Sequence, residues 1–346
     1  MRNPPPPPVT YGGPAMRPSA TDRDAFITAA ERHRAELTVH CYRMLGSLED
    51  AEDAVQETLL RAWRRQELFE GRSTLRAWLY RIATNCCLDA LERRSRRVMP
   101  TAVAPPADPL AELSPPAEIP WLGPIPDRLL DEIVDTDAGP SERIAADETI
   151  ELVFLASIQH LPPRQRAVLI LRDVLGWSAR ESADAVGMST VAANSALQRA
   201  RATLRQQLPE RRLEWPRNPA AEADERRLLD RYMGAWHRTD VDGIVALLKE
   251  DARFVMPPLP AWFLGRDAIG AFLSRYPLAP GFGHHIHVPT RANRQPAFAV
   301  FLREPGAGAP RPLGVEVLRI EDGLIAEIDV FLDPRVVAAF GVTAPG

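Results

Sequence analysis

The chain has 346 residues, 45% of them hydrophobic, and a formal net charge of −4. That length allows two or three domains, and the charge excludes a surface that binds nucleic acid indiscriminately. Cysteine is confined to Cys41, Cys86 and Cys87, with no C-x-x-C pair; this excludes a disulfide framework and a zinc site and fits a reducing cytoplasm, and no apolar run reaches the ~18 residues of a membrane span.

Residues 1–22 open with a proline run at 4–8 and cannot bury a core. A disordered, proline-rich extension is expected there, and Met16 is a second candidate start. Residues 23–98 read as a helical unit. Ala51, Val55, Leu59, Ala62 and Trp63 recur at helical spacing, as do Leu75, Trp78, Leu79, Ile82, Cys86 and Ala90. Glu70 to Ser73 separates the two helices, and Ser73 can cap the second. Glu49, Asp50, Glu52, Asp53 and Glu57 load the start of the first helix with acid, which suits its dipole. The second is basic: Arg72, Arg76, Arg81, Arg93, Arg94, Arg96 and Arg97 stand against Asp89 and Glu92. Arginines interleaved with aromatic side chains can hold a backbone and stack unpaired bases. Trp63 and Trp78 are expected in the core, and Tyr80, Arg81, Asn85 and Asp89 on the exposed face.

Residues 99–140 break the helical pattern with ten prolines. From Pro105 to Glu151 twelve acidic residues face two arginines, a net of −10. A solvated acidic linker is expected, with one ordered piece at Trp121 to Pro124. The charge also suits a path through a basic channel, and the composition leaves both readings open. Residues 141–210 are helical again, from about Ser141 to Leu208. Ser178 and Glu181 make a capping box. Gly187 supplies a turn and Ser189 a fresh N-cap. The next helix has an inner stripe of Ala193, Leu197, Ala200 and Leu204, which leaves Asn194, Ser195, Gln198 and Arg201 outside. That is a helix-turn-helix whose second helix fits a major groove. Asn194 and Gln198 can pair with adenine, and Arg199, Arg201 and Arg205 with phosphates.

After a second linker at 211–223, residues 224–342 change character. Helices are expected at Leu228–His237 and Val241–Leu248, followed by extended runs at Arg253–Met256, His284–Val288, Ala297–Leu302, Gly314–Ile320 and Leu324–Phe331. Asp322-Gly323 marks a hairpin. This order suggests an α+β domain. His285 and His287 share a strand face while His284 points away; two histidines without a clear carboxylate partner make no metal site. Asp251, Glu316 and Asp329 are conceivable bases if the domain is an enzyme.

Both helical blocks resemble the sigma-70 family of bacterial transcription initiation factors, in its extracytoplasmic-function group. Asp50–Trp63 is similar to the polymerase-clamp helix of region two, Leu75–Arg94 to the helix that opens and reads the −10 element, and Leu161–Arg205 to region four, which reads the −35 element. Pro120–Leu130, Tyr232–Trp236, Asp251–Met256, Phe263–Phe272 and Ile320–Phe331 resemble a subgroup with a fused SnoaL-like, NTF2-like domain. The resemblance implies two all-α domains, a sigma region 2 bundle and a sigma region 4 helix-turn-helix, plus a C-terminal α+β cone. It implies Asp50, Asp53, Gln56, Glu57 and Arg61 as polymerase-binding residues. Tyr80, Arg81, Asn85, Asp89, Arg93 and Arg94 would bind −10 DNA, and Thr190, Asn194, Ser195, Gln198, Arg199 and Arg201 the −35 duplex. Many family members have basic residues where this chain has Asn194 and Ala196, which implies weaker phosphate contact there. The implied partners are core RNA polymerase through its β and β′ subunits, promoter DNA, and a small ligand or an intramolecular contact for the C-terminal domain. No cofactor, metal, catalytic activity or membrane is implied. The rival readings are a conventional helix-turn-helix regulator and an isomerase-type enzyme fused to a DNA-binding module.

Overall fold

Gly46 and Ser47 set the first sharp corner of the chain. Gly46 takes a left-handed φ of +73° that ends one helix, and the Ser47 hydroxyl accepts the Asp50 N–H to cap the next. The computed structural model describes residues 20–69, 74–93, 95–133, 149–208, 219–306 and 308–345. The expected extension up to residue 19, the Ser73 cap, Arg94, the linker from 134 to 140, the helix start at Ser141, and residues 209–218 lie outside them.

Four helices build the first unit: α1 (Ala20–Glu31), α2 (Arg34–Leu45), α3 (Leu48–Arg64) and α4 (Leu75–Arg93). Helix α1 starts inside the stretch expected to be disordered. Leu37, Met44, Val55, Leu79 and Ala83 form a fully buried centre. The second unit holds α6 (Leu152–Gln159), α7 (Pro163–Leu169) running into a π turn at Ile170–Val174, α8 (Ala179–Val186) and α9 (Thr190–Gln207). A short helix, α5 (Asp127–Asp131), lies between the two units.

The third unit starts with α10 (Pro219–His237), which begins inside the expected second linker, and α11 (Val241–Val245). Its six strands are β1 (Leu248–Val255), β2 (Trp262–Leu264), β3 (His284–Ala292), β4 (Gln295–Arg303), β5 (Arg311–Glu321) and β6 (Leu324–Phe331), ordered β2-β1-β6-β5-β4-β3. Among the six described strands, only the β1–β6 pairing is parallel. The Asp322-Gly323 turn has φ of +54° and +75°, as a tight hairpin requires. Helix α12 (Arg266–Arg275) packs inside the curved sheet and α13 (Pro334–Phe340) outside it.

Alternation along the strands gives the sheet two apolar faces. On β4, Phe298 and Val300 point into the cone with Tyr232 and Trp236, while Ala297, Ala299 and Phe301 point out. The outer face joins the cores of both helical units in one continuous cluster. Three domains joined by linkers are expected from the sequence; in the structure one core cluster runs through both helical units and the outer face of the sheet, and a second fills the cone.

The linker also departs from the solvated tether expected. Leu122 and Ile125 are 1% and 0% exposed. Tyr42 of α2 donates to Gly123 O at 2.8 Å, Ala107 N–H to Trp262 O at 2.8 Å, and Ala117 N–H to Pro258 O at 3.1 Å. Proline explains how this is affordable in free energy. It presets an extended backbone and removes N–H groups that would otherwise need partners, so a proline-rich strand can lie along folded surfaces. Composition alone does not reveal that use.

Candidate nucleic-acid interface

Helix α9 presents its reading face to solvent. Ser178 and Glu181 complete both hydrogen bonds of the capping box that starts α8, at 3.2 and 2.9 Å. Gly187 then turns the chain at φ +65°, and the Ser189 hydroxyl caps α9. Ala193, Leu197, Ala200 and Leu204 are buried, as the spacing demands. Thr190, Asn194, Gln198 and Arg199 are exposed and Ser195 is half-buried. Arg201 is exposed but engaged: its Nε and Nη2 hold both Asp173 oxygens at 2.9 and 2.6 Å. Val191, missed in the sequence reading, is 77% exposed at the start of the same helix. An apolar residue at that place can meet a thymine methyl group.

The α4 surface is arranged differently. Tyr80 was expected on its exposed face and is instead 2% exposed. Its hydroxyl donates to Glu36 Oε2 at 3.0 Å, and its ring lies 5.8 Å from Trp177, just before α8. The helix turns its aromatic residue inward because both α2 and the second unit cover that side. Arg81 and Arg93 stay exposed. Asn85 donates to Ala185 O of α8 at 3.2 Å, so the second helical unit caps this part of α4. Asp89 is half-buried and accepts from Arg61 Nη1 at 2.9 Å.

On α3, Asp53 and Gln56 are exposed, but Glu57 and Arg61 pair with each other at 2.6 Å. Asp50 is held by Arg97, whose Nε and Nη2 lie 2.9 and 2.6 Å from its Oδ2. Trp63 corrects a second expectation: it is 43% exposed, beside Leu60 at 38%. Asp53, Gln56, Leu60 and Trp63 therefore make a mixed stripe along α3, spaced three, four and three. Trp78 is half-buried between Phe26 and Phe69.

The residue that joins the three units, Asn293, lies outside the motifs that mark the helical blocks. Asn293 and Arg294, at φ +56° and +60°, form the two-residue turn between β3 and β4. Asn293 is 0% exposed. Its Oδ1 accepts the Ile125 N–H of the linker at 3.0 Å. Its Nδ2 donates to Tyr42 Oη of α2 at 2.7 Å and to Ile150 O, just before α6, at 2.8 Å. Next to it, the Arg294 N–H meets Asp127 Oδ1 at 2.8 Å, and Gln295 Oε1 accepts the Leu152 N–H at 3.0 Å. An asparagine between two extended runs is the signal that marks this turn.

Inside the cone, Tyr232 donates to Glu316 Oε1 at 2.6 Å, and His287 Nε2 stands 3.8 Å from Glu316 Oε2. Tyr232 stacks on Phe298, and Trp236 lies 4.7 Å from His287. His285 faces the same interior, where burial and then His287 lower its pKa to about 4, while His284 is exposed. The three conceivable bases are not brought together. Glu316 faces the interior, Asp329 belongs to the outer face and Asp251 is exposed. Among the described residues, no helix is long and apolar enough to cross a membrane.

Comparison with known proteins divides the chain along the same lines. Residues 29–97 match the family description Sigma-70 region 2, residues 152–204 match Sigma-70, region 4, and residues 229–328 match the SnoaL-like domain. The chain is 44% identical over 328 residues to the ECF RNA polymerase sigma factor SigG of Mycobacterium tuberculosis (strain ATCC 25618 / H37Rv), across 94% of this chain and 86% of that one. It is 25% identical over 317 residues to the probable ECF RNA polymerase sigma factor SigI of the same strain, across 91% and 95%. Among solved structures, the crystal structure of Mycobacterium tuberculosis extracytoplasmic function sigma factor SigJ matches with a TM-score of 0.56 and 21% identity, over 92% of this chain and 99% of that one. At that identity the likeness speaks for the fold.

Proposed function

This chain belongs to the ECF RNA polymerase sigma factors, and we propose that its SnoaL-like domain holds the two helical units in a closed arrangement that must open before a promoter is engaged. It is a transcription initiation factor with that domain fused at its C-terminus. Asn293 carries the proposal, because one buried side chain hydrogen-bonds to the first helical unit, the linker and the entry to the second. Distance supports it. Elements named −10 and −35 lie about 25 base pairs apart, roughly 85 Å of duplex at ~3.4 Å per pair. Here α4 and α8 touch through Asn85 and Ala185, so the two units cannot reach both elements while packed together.

In the open form, Asp53, Gln56, Leu60 and Trp63 would dock on core polymerase through its β and β′ subunits, joined by Asp50, Glu57 and Arg61 once their internal pairs are released. Arg81, Asn85, Asp89, Arg93 and Arg94 would hold the −10 strand, and Tyr80 would join them after Trp177 withdraws. Thr190, Val191, Asn194, Ser195, Gln198 and Arg199 would read the −35 duplex, with Arg201 exchanging Asp173 for phosphate. The action is read as non-enzymatic and cytoplasmic from the sigma-factor relatives; inside the cone, Glu316 is already engaged by Tyr232. The test is transcription in vitro by core polymerase with the wild-type chain and with Asn293→Ala. The variant should initiate at lower factor concentration, and equal activity of the two would refute the closed-state reading.

A further inference from the structure

Between α6 and the outer face of the sheet lies a cavity of about 140 Å³. Arg253, Arg319, Glu327 and Asp329 line it from the sheet, and Ser157 and His160 from the second helical unit. Asp329 is 4% exposed and its Oδ1 has no hydrogen-bond partner. A buried polar atom left unpaired is costly, and native interiors contain few of them. Burial, then Glu327, pushes this carboxyl well above the usual carboxylate range. Arg319 is committed to Glu327 and Glu321. Arg253 makes no salt bridge among the described residues, although its charge acts on Asp329 together with that of Arg319. A carboxyl with one oxygen left without a hydrogen bond and a guanidinium without a salt bridge therefore face the same partly open space.

We propose that this cavity is a regulatory site for a small zwitterion of the α-amino-acid class, its ammonium on Asp329 Oδ1 and its carboxylate on Arg253. Size sets the upper limit, since a cavity of about 150 Å³ holds a molecule such as benzene. The mixed lining argues against an apolar occupant. A lone anion would be set against Glu327, and a lone cation against Arg253 and Arg319. The regulatory role rests on the closed-state reading. The walls come from the linker, α6, the end of α9 and the sheet, so the site is complete only while these are packed together. A ligand bound there stabilises the closed form by linkage and lowers initiation.

The experiment uses the full chain with glycine, L-alanine, L-serine, L-threonine and L-proline as probes, in calorimetric titration and thermal unfolding. Acetate and methylammonium serve as half-ligands. At least one amino acid should bind and raise Tm, with each half-ligand at least about tenfold weaker. Asp329→Asn and Arg253→Gln should each weaken binding by about tenfold or more. Arg253 is exposed, so its variant retains the fold even if the Asp329 variant does not. The bound amino acid should also reduce transcription by the wild-type holoenzyme and leave the Arg253→Gln holoenzyme unaffected. No binding by any probe, or undiminished binding by both variants, overturns the site. Binding that both variants abolish, without any effect on transcription, overturns the regulatory role. If Asn293→Ala leaves transcription unchanged while binding still requires Arg253 and Asp329, the closed-state reading falls and the site stands.

Discussion

Asn293→Ala removes three side-chain hydrogen bonds at a buried junction. Each is worth about 1 kcal/mol net, and a buried group left without a partner costs about 1–3 kcal/mol. The Ile125 N–H and the Ile150 carbonyl would be left in that state. The backbone adds to the loss, because φ at Asn293 is +56°. Asparagine tolerates the left-handed region better than alanine, by about 1 kcal/mol. The junction should therefore weaken by about 4 kcal/mol, which raises the population of the opened form about a thousandfold. Asn293→Gly separates the two causes: it loses the same hydrogen bonds and relieves the backbone, so it should fall about 1 kcal/mol short of alanine. Hydrogen exchange at the Ile125 and Leu152 amides reads the local opening directly. Unchanged exchange at both amides, or an alanine variant within about 1 kcal/mol of wild type, would refute the reasoning.

Further expectations concern the core, the sheet and the DNA face. His40 is fully buried with Nε2 at 2.9 Å from Thr84 Oγ1, whose own proton goes to Tyr80 O. Burial, then Arg43, lowers its pKa from 6.5 to about 3. The folded value lies below the unfolded one, so this stability is fully present above about pH 6.5 and is lost as pH falls toward 3. At pH 5 the loss is about 2 kcal/mol; urea midpoints at pH 7 and pH 5 should show it, and His40→Gln should flatten the difference. Gly314→Ala would place a Cβ 2.1 Å from Phe331 O in the neighbouring strand. The β5–β6 pairing must shift, at a cost of about 2–3 kcal/mol by thermal unfolding, and a variant as stable as wild type would contradict the register. Arg199→Ala should reduce the slope of log affinity against log salt by about 0.9 in holoenzyme–promoter binding. Arg201→Ala should change it less, because Arg201 is already paired with Asp173; equal changes would refute that distinction.

Local signals made much of the fold legible. Helical spacing marked α3 and α4, the Ser178–Glu181 box and Gly187 set the helix-turn-helix, and Asp322-Gly323 located a hairpin, because each depends on neighbours within a few residues. The inner stripe of α9 followed for the same reason, and with it the exposed face that holds Asn194 and Gln198. Tyr80 and Trp63 read the wrong way round. Helical period says which residues share a face, but which face is covered depends on partners 44 to 97 residues away, such as Glu36 and Trp177.

Three units, their order and the chemistry each presents follow from local signals, since periodicity, caps and charge are properties of short stretches. That one core cluster runs through both helical units and the outer sheet face, that the proline-rich strand is packed between them, and that Asn293 meets all three emerged from long-range packing alone. Those outcomes depend on which buried N–H and C=O groups find partners across the chain, a matching that exists only once distant segments are brought together.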